Sequence, residues 1–402
     1  MKPFGELTTR DDAMKLIEEK IKPINKVEAS PLEVSMGRVL AMDIYAGFDV
    51  PPFDRASMDG YAVRSKDTVG ASSKSPIKLK LVGIQHTGKV YNGIIGEKEC
   101  IEIATGSPVP HCSDAVVKVE DTIIEDGAVL VMKPVAPGKD VAPAGEDMKK
   151  GDQILNEGVT LSPGMVGALA ALGFKDVPVY SKPRIAIYSS GPEIVPQGID
   201  LKPGQIYDIN SFTITSVVSS NGCIPSRKGI MKDDVDSIKK AILDTANYDL
   251  GVFSGGSSVG SKDLFGEVMQ DLGTVYFHGV KVKPGKPTLF GEVEGTPIFG
   301  MPGYPTSCLN NSYVYLTPAL RKLARLSALE KKQITVPMGH NLVSKSDREQ
   351  FITVRIGHGR AFNVFKQSGD ITSMTKADGY IILPIGVNEV KEGETVVVTL
   401  LP

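Results

Sequence analysis

The sequence predicts an α/β multidomain protein in which an open, mostly parallel sheet is joined to β-rich subdomains. The chain has 402 residues, more than one hydrophobic core usually accommodates. Residues 76–135 contain short β-rich runs separated by Gly, Asp and Pro turns, which is typical of an all-β subdomain. From Arg184 onward, strands, loops and helices alternate, which favours an α/β sheet.

The N-terminal region contains one predicted helix and one irregular segment. Thr9 precedes apolar residues at helical spacing from Ala13 to Ile21, which predicts a capped amphipathic helix that Pro23 ends. Residues 51–64 mix aromatic, charged and small side chains without a helical or strand period. We interpret them as a shaped loop.

The α/β region is predicted from residue 184 to residue 326. Strands are predicted at 184–188, 250–253 and 296–300, and helices at 211–220, 236–245, 264–272 and 306–326. Residues 333–402 return to alternating strands and turns, which predicts a small β barrel or sandwich.

Composition excludes several classes of protein. The net charge of −2 gives no field for nucleic acid or an acidic membrane surface, and no apolar run approaches the ~20 residues of a membrane span. The N-terminus lacks the apolar core of a signal peptide, so we expect a cytoplasmic protein. The four cysteines form no close pair, which argues against disulfides and structural zinc.

Two loops rich in small residues follow predicted strands. They run from Ser189 to Glu193 and from Ser254 to Asp263. Open α/β sheets bind ligands at the carboxyl ends of their strands, where such loops let backbone N–H groups reach a phosphate or oxyanion. The alternative is an ordinary glycine-rich turn. Neither loop is a G-x-G-x-x-G motif or a P-loop, which disfavours nicotinamide dehydrogenases and P-loop NTPases.

Charged residues cluster in two further patterns. Residues 281–287 hold three lysines among two prolines and a glycine, which indicates either a rigid oxyanion site or a plain basic turn. Five acids stand in irregular segments and are either solvated or magnesium ligands: Asp59, Asp147, Glu193, Asp233 and Asp263. Histidine spacing shows no metal motif, and no nucleophile elbow is present, so covalent catalysis is disfavoured.

Six motifs occur in the order found in the MoeA and gephyrin E-domain family, and the resemblance covers nearly the whole chain. They are residues 57–64, 104–110, 145–147, 254–260, 283–287 and 302–305. Two positions depart from the family pattern. Pro192 replaces the usual Asp of the first loop, and Tyr304 replaces the usual Asn between Pro302 and Pro305.

The resemblance implies a molybdopterin molybdenumtransferase. Such an enzyme takes adenylylated molybdopterin and molybdate, cleaves the phosphoanhydride with Mg²⁺, and releases molybdenum cofactor and AMP. Tungstate instead of molybdate, cleavage without metal insertion, and a gephyrin-type scaffold remain alternatives. A separate MogA- or MoaB-like adenylyltransferase is the expected partner.

The family also implies an elongated homodimer with a site between subunits and a MogA-like α/β domain. The expected division is 1–46 with 146–182 as the N-terminal subdomain, 47–145 as the β-rich subdomain, 183–330 as the MogA-like domain and 331–402 as the C-terminal β barrel.

Site residues are carried over motif by motif. The resemblance implies a catalytic set of Asp59, Thr105, Glu193, Asp233 and Asp263, with Asp233 and Asp263 holding Mg²⁺. In the C-terminal tail the match leaves Arg348 or Arg355, and Ser368 or Ser373, open. The binding set taken together is Ser190, Gly191, Ser254, Gly255, Gly256, Ser257, Lys283, Lys286, Pro287, Pro302, Pro305, Asp147, Arg355 and Ser373.

Overall fold

The computed structural model describes residues 6–255 and 264–401. The chain divides into two compact units. The first unit comprises Met1–Glu28, Gly37–Val39 and Val179–Pro402, and the second comprises Ala29–Met36 and Leu40–Pro178. The four-part division expected from the sequence stays a prediction.

A six-stranded mixed sheet forms the centre of the first unit. Its strands are β1 (Arg184–Ser190), β2 (Ile224–Met231), β3 (Leu250–Ser254), β4 (Thr274–His278), β5 (Leu289–Val293) and β6 (Thr296–Met301), in the order β2-β1-β3-β6-β5-β4. Strands β2, β1, β3 and β6 are parallel, as predicted, whereas β5 and β4 are antiparallel. Leu289 lies opposite both Gly300 and His278, so the β4–β5 connection leaves the sheet at the carboxyl edge of β6.

Helices cover both faces of this sheet. They are α1 (Arg10–Lys20), α2 (Asn210–Ser220), α3 (Val235–Asp244), α4 (Leu264–Leu272), α5 (Pro305–Asn311) and α6 (Thr317–Leu323). Thr9 caps α1 by accepting the Asp12 N–H, and Asp234 caps α3 by accepting the Ser237 N–H. The helix predicted over 306–326 is interrupted by a π-helical turn, Ser312–Leu316. Pro318 has no N–H for the carbonyl four residues earlier, which weakens a regular helix there.

Strand β1 is buried on both faces. Ile185 and Ile187 pack in one apolar cluster with α1, α2 and α6, whereas Ala186 and Tyr188 pack in another with α3 and α4. Alternate side chains of a strand point to opposite faces, so an uninterrupted apolar run serves two helical layers.

The C-terminal region forms a second sheet within the first unit. Its strands are Gln333–Pro337, Glu349–Gly357, Arg360–Asn363, Gly379–Leu383 and Thr395–Leu400, with a separate pair at Leu342–Val343 and Glu389–Val390 and a short helix at Thr372–Thr375. A sixth strand, Val282–Lys283, comes from the β4–β5 connection and pairs parallel with Glu349 and Gln350. The predicted lysine segment is therefore anchored to both sheets.

A six-stranded sheet dominates the second unit. In spatial order its strands are Ala115–Lys118, Gly60–Val63, Glu99–Ile103, Ile77–Gln85, Ala128–Val131 and Thr122–Glu125. The prediction of one irregular loop over 51–64 was wrong, since Gly60–Val63 is a buried interior strand. Four residues buried on both faces show no alternation that a sequence pattern could reveal. A Cβ on Gly60 would lie 2.0 Å from the Val117 carbonyl oxygen, so this position requires glycine.

Shorter elements complete the described chain. Strands occur at Val27–Pro31, Ile44–Tyr45, Arg55–Ala56, Val141–Ala142, Gln153–Leu155, Asp176–Tyr180, Ile194–Val195 and Ile206–Tyr207, a helix at Pro163–Ala171, and 3₁₀ turns at Leu32–Val34, Ser65–Thr68, Val119–Asp121 and Thr245–Asn247. No helix within residues 6–255 and 264–401 has the length and apolar character needed to cross a membrane.

Three of the four cysteines are buried, and Cys112 is exposed. Burial raises the pKa of Cys100, Cys223 and Cys308 to about 12, so these thiols are protonated at neutral pH. They serve as apolar side chains and do not supply a nucleophile.

Candidate active site

The first candidate loop begins where β1 ends at Ser190. Gly191 has a φ of +152°, and a Cβ there would lie 2.9 Å from a carboxylate oxygen of Glu193. The Ser190 hydroxyl donates a long hydrogen bond of 3.5 Å to the Asp233 carboxylate. The loops after β1 and β2 thus bring together four of the predicted residues: Ser190, Gly191, Glu193 and Asp233.

The second loop approaches the first at backbone distance. Gly255 follows β3 with a φ of +85°, and a Cβ there would lie only 2.1 Å from the Ser190 carbonyl oxygen. The Gly255 N–H donates to the Met301 carbonyl at 3.3 Å, and the Cβ position of Gly303 lies 3.6 Å from the Gly255 Cα. Three loops therefore meet at one sheet edge. Gly256, Ser257 and Asp263 lie outside the described residues.

Two buried polar residues support this edge, and sequence reasoning missed both. Asp208 accepts hydrogen bonds from the Ser189 hydroxyl at 3.0 Å and from the Ser211 N–H at 3.1 Å. The Asn210 amide donates to the Gly303 carbonyl at 2.8 Å. The available signal was the two polar residues at the start of helix α2, Asp208 two positions before it and Asn210 as its first residue, since Asp and Asn are common at helix N-termini.

Unsatisfied polar atoms mark the same edge. In the part of the chain that the structure describes, the buried Oδ1 of Asn210 and the buried Oγ of Ser254 have no hydrogen-bond partner. A buried polar atom without a hydrogen-bond partner costs free energy in a folded protein. Its presence therefore indicates a bound group or a functional role.

The Met301–Pro305 connection joins β6 to α5. Pro302 is buried, and Pro305 occupies the first turn of α5, where its missing N–H costs nothing. Tyr304 is the N-cap but provides no side-chain cap, and its ring is 68% exposed. Thr306 and Ser307 lie within α5 and do not cap it. The Thr306 hydroxyl donates instead to the Asp370 carbonyl at 2.9 Å.

The lysine segment lies at the same sheet edge because it connects β4 to β5. The start of the segment is held by the residues that precede α1, because the Lys281 N–H donates a hydrogen bond to the Thr8 carbonyl at 2.8 Å. Lys283, Lys286 and Pro287 are each partly exposed. The Lys283 ammonium donates to the Lys345 carbonyl at 3.5 Å. The loop therefore holds two partly accessible lysines on a constrained backbone.

The remaining predicted binding residues lie in other surroundings. Arg355 is exposed on the strand Glu349–Gly357, and Asp147 is exposed in the second unit. Ser373 is buried, and its hydroxyl accepts the Lys366 N–H at 3.2 Å, which gives it a structural partner. Of the serines left open, Ser368 contacts the site, since its carbonyl accepts the Thr306 N–H at 3.0 Å.

Asp59 and Thr105 contact each other in the second unit. The Asp59 carboxylate accepts the Thr105 N–H and the Thr105 hydroxyl, both at 2.7 Å. These two donors, the backbone N–H first, hold the pKa of Asp59 below its ordinary value. Asp59 is therefore ionised and oriented at neutral pH, as a ligand or general base requires.

Replacing Thr105 by valine is expected to raise the pKa of Asp59 because the hydroxyl donor is lost while the N–H remains. An NMR titration of the Asp59 carboxyl carbon measures this change. Thr122→Val is the control, because the Thr122 hydroxyl donates to the backbone carbonyl of Val119 and not to a carboxylate. An unchanged titration midpoint in Thr105→Val would mean that the backbone N–H alone determines the Asp59 pKa.

The residues present suit Mg²⁺. Among residues 6–255 and 264–401 there is no group of three or more His, Cys, Asp or Glu side chains placed to hold a metal. Mg²⁺ is usually bound by only one or two carboxylates together with substrate phosphates. The Asp233 carboxylate and the adjacent Ser190 hydroxyl form an oxygen donor set of that kind.

Sequence models of known families match almost the whole chain. Residues 8–173 match the MoeA N-terminal region (domains I and II), residues 186–322 a probable molybdopterin-binding domain, and residues 335–401 the MoeA C-terminal region (domain IV). The α/β sheet, with its converging loops, is thus the part that matches a molybdopterin-binding domain. The chain is therefore a multidomain protein that contains a probable molybdopterin-binding domain.

Full-length relatives support the same assignment. The chain is 33% identical over 414 residues to a putative molybdopterin biosynthesis protein of Methanocaldococcus jannaschii, with 100% of both chains covered. It is 30% identical to a molybdopterin molybdenumtransferase of Haemophilus influenzae, with 98% of both covered. A crystal structure of a Pyrococcus molybdopterin biosynthesis MoeA protein superposes with a TM-score of 0.86 at 39% identity, covering 98% of this chain and 99% of that one. The chain belongs to the MoeA family, and the predicted α/β multidomain fold is confirmed.

Proposed function

We propose that this MoeA-family transferase of molybdenum cofactor biosynthesis places molybdate onto adenylylated molybdopterin and releases AMP. The observation that carries the proposal is the convergence of Ser190, Gly255 and Gly303 at one sheet edge, beside Asp233. Loops without side-chain bulk admit a phosphoanhydride close to the backbone. The Haemophilus influenzae and Staphylococcus aureus relatives are named molybdopterin molybdenumtransferase, which supports the transfer of molybdenum to molybdopterin.

Each part of the site has a distinct chemical role in this reaction. The oxygen of water or of molybdate displaces AMP at the phosphoanhydride P–O bond. The two dithiolene sulfurs bond to molybdenum as one molybdate oxygen leaves as water with the two thiol protons. Asp233 and Asp263 would hold Mg²⁺, which neutralises negative charge on phosphoryl oxygens. The ammonium groups of Lys283 and Lys286 bind the incoming oxyanion as positive charges. The Asp59 carboxylate, oriented by the Thr105 N–H and hydroxyl, is a further candidate ligand or general base.

The decisive experiment incubates the protein with adenylylated molybdopterin in the presence and absence of molybdate, and AMP is quantified by chromatography. Molybdate-dependent AMP release is expected. No release at all would leave a partner-binding scaffold of the gephyrin type. Release that does not depend on molybdate would indicate cleavage without metal insertion, and faster turnover with tungstate would change the assigned oxyanion.

Binding of the pterin at the proposed edge is expected to quench a tryptophan placed at position 304. The protein contains no tryptophan, so Tyr304→Trp introduces a single tryptophan at an exposed aromatic position between Pro302 and Pro305. Pterins absorb where tryptophan emits and stack on aromatic rings. Titration with adenylylated molybdopterin measures the effect.

The matched control for this titration is Ile224→Trp. Ile224 is 47% exposed and begins β2, so it lies at the opposite, amino-terminal edge of the parallel strands. Equal quenching of both variants would place the pterin elsewhere.

The proposed enzyme acts as a homodimer in the cytoplasm and receives its substrate from a separate MogA- or MoaB-like adenylyltransferase. The supporting argument is that the proposed substrate must be adenylylated before molybdenum is inserted, and adenylylation is a separate reaction. Light scattering on the purified chain tests the dimer, and a monomer of unchanged activity would exclude it.

A further inference from the structure

Asn311 lies at the end of α5, immediately before the π-helical turn. It is completely buried. Its amide nitrogen donates to the Gly285 carbonyl at 2.7 Å and to the Thr288 hydroxyl at 2.6 Å. Its amide oxygen accepts from Asn310 at 3.2 Å. The two N–H groups of this side chain therefore bind Gly285 of the lysine segment and Thr288, which follows directly after the segment.

The contact between Asn311 and Gly285 leaves no free space. Gly285 has a φ of +106°, and a Cβ there would lie 2.3 Å from the Asn311 amide nitrogen. The Thr288 hydroxyl also donates to the Gly285 carbonyl at 3.0 Å. Asn311, Gly285 and Thr288 thus form a closed hydrogen-bonded triangle, which we call the amide clamp.

The amide clamp lies between the two lysines assigned to the oxyanion. Lys283 precedes Gly285 and is held by strand pairing with Gln350, whereas the Lys286 carbonyl accepts the N–H groups of Val280 and Thr288. The flanks of the segment are therefore fixed by backbone bonds. The turn between them is fixed by a side chain from another element.

We propose that Asn311 is a positioning residue for the oxyanion: by clamping Gly285 and Thr288, it sets the distance between the Lys283 and Lys286 ammonium groups. The inference rests on the proposed function for the identity of the oxyanion. An amide suits this position because it offers two N–H donors in a fixed plane to two acceptors without adding a buried charge. A buried apolar side chain would leave the Thr288 hydroxyl oxygen without this donor and the Gly285 carbonyl with only the Thr288 hydroxyl.

Removing the clamp is expected to weaken molybdate binding by roughly 10- to 100-fold, because displacing charged groups by about 1 Å has effects of that order. The variants are Asn311→Leu, which removes both donors, and Asn311→Asp, which keeps the shape in case the first does not fold. Calorimetric titration with sodium molybdate is the main measurement, alongside the KM for each substrate. The KM for molybdate should rise while that for adenylylated molybdopterin stays close to wild type.

The matched control is Asn221→Asp. Asn221 is another buried asparagine of the first unit, at the end of α2, and its amide donates to the Val217 carbonyl at 2.7 Å. Thermal unfolding is recorded for every variant. A general loss of stability would affect both positions, whereas loss of positioning affects molybdate only at 311.

A double-mutant cycle separates positioning from general stability. In a background carrying Lys283→Ala and Lys286→Ala, Asn311→Asp should have no further effect on molybdate binding, because its effect passes through the lysines. Equal effects in both backgrounds would overturn the proposal, as would wild-type affinity in the single variants or a wild-type protein that does not bind molybdate. If coupling is observed without AMP release by the wild-type protein, the clamp stands and the proposed reaction falls.

Discussion

Replacing both Lys283 and Lys286 by alanine is expected to lower molybdate affinity by about 10²-fold or more. A hydrogen bond to a charged group contributes about 1.5–3 kcal/mol, and each 1.4 kcal/mol changes an equilibrium constant about tenfold. Both side chains are partly exposed, and the segment that carries them is anchored to two sheets. Affinity for adenylylated molybdopterin should change less, and calorimetry with each ligand measures the difference.

The control for the lysine pair must remove the same charge elsewhere. Lys331 and Lys332 are exposed just before the strand Gln333–Pro337. Their double alanine variant changes the net charge equally and should leave molybdate affinity close to wild type. Equal loss of both ligands in the Lys283 and Lys286 variant would argue against a division of labour between oxyanion and pterin.

Replacing Asp233 by asparagine is expected to reduce AMP release by roughly 10²-fold or more, the scale of losing one preorganised electrostatic group. The change removes a carboxylate beside Ser190 while preserving shape. Asp263→Asn is expected to have a similar effect. This expectation rests on the family resemblance, because Asp263 lies outside the described residues. Single-turnover assays with saturating adenylylated molybdopterin measure the chemical step.

Asp234→Asn is the adjacent control for Asp233. The Asp234 carboxylate accepts the Ser237 N–H at 2.8 Å and caps α3, a role that asparagine fills equally well. The variant loses the same charge one position away and should release AMP at the wild-type rate. Similar losses at 233 and 234 would show a general electrostatic effect and would remove Asp233 from the catalytic set.

Sequence patterns predicted the elements whose signals are local. Strands β1 and β3 were predicted from apolar runs that stop at small residues. The predicted ends at 188 and 253 lie within two residues of the observed ends, Ser190 and Ser254. The capped helix α1 followed from Thr9 and the helical spacing after it. Such signals arise between residues a few positions apart, so they survive without knowledge of the fold.

Pairing between distant segments was not predicted. The antiparallel hairpin of β5 and β4 brings the lysine segment to the carboxyl edge, and Val282–Lys283 joins the C-terminal sheet more than sixty positions away. Strand partners depend on which surfaces must be buried together. A two-residue strand has no period from which its partner could be inferred.

The same distinction between local signals and distant contacts applies to the candidate site. Loop composition and the family resemblance identified the residues at positions 190, 191, 233 and 255 as site residues. The glycines among them indicated where the loops turn. Only the tertiary structure revealed that Gly255 contacts the Ser190 carbonyl, that Asp208 supports β1, and that Asn311 clamps Gly285 across 26 positions. The physical reason is burial, because a polar side chain acquires a definite role only when folding removes water and leaves one protein group within hydrogen-bond distance.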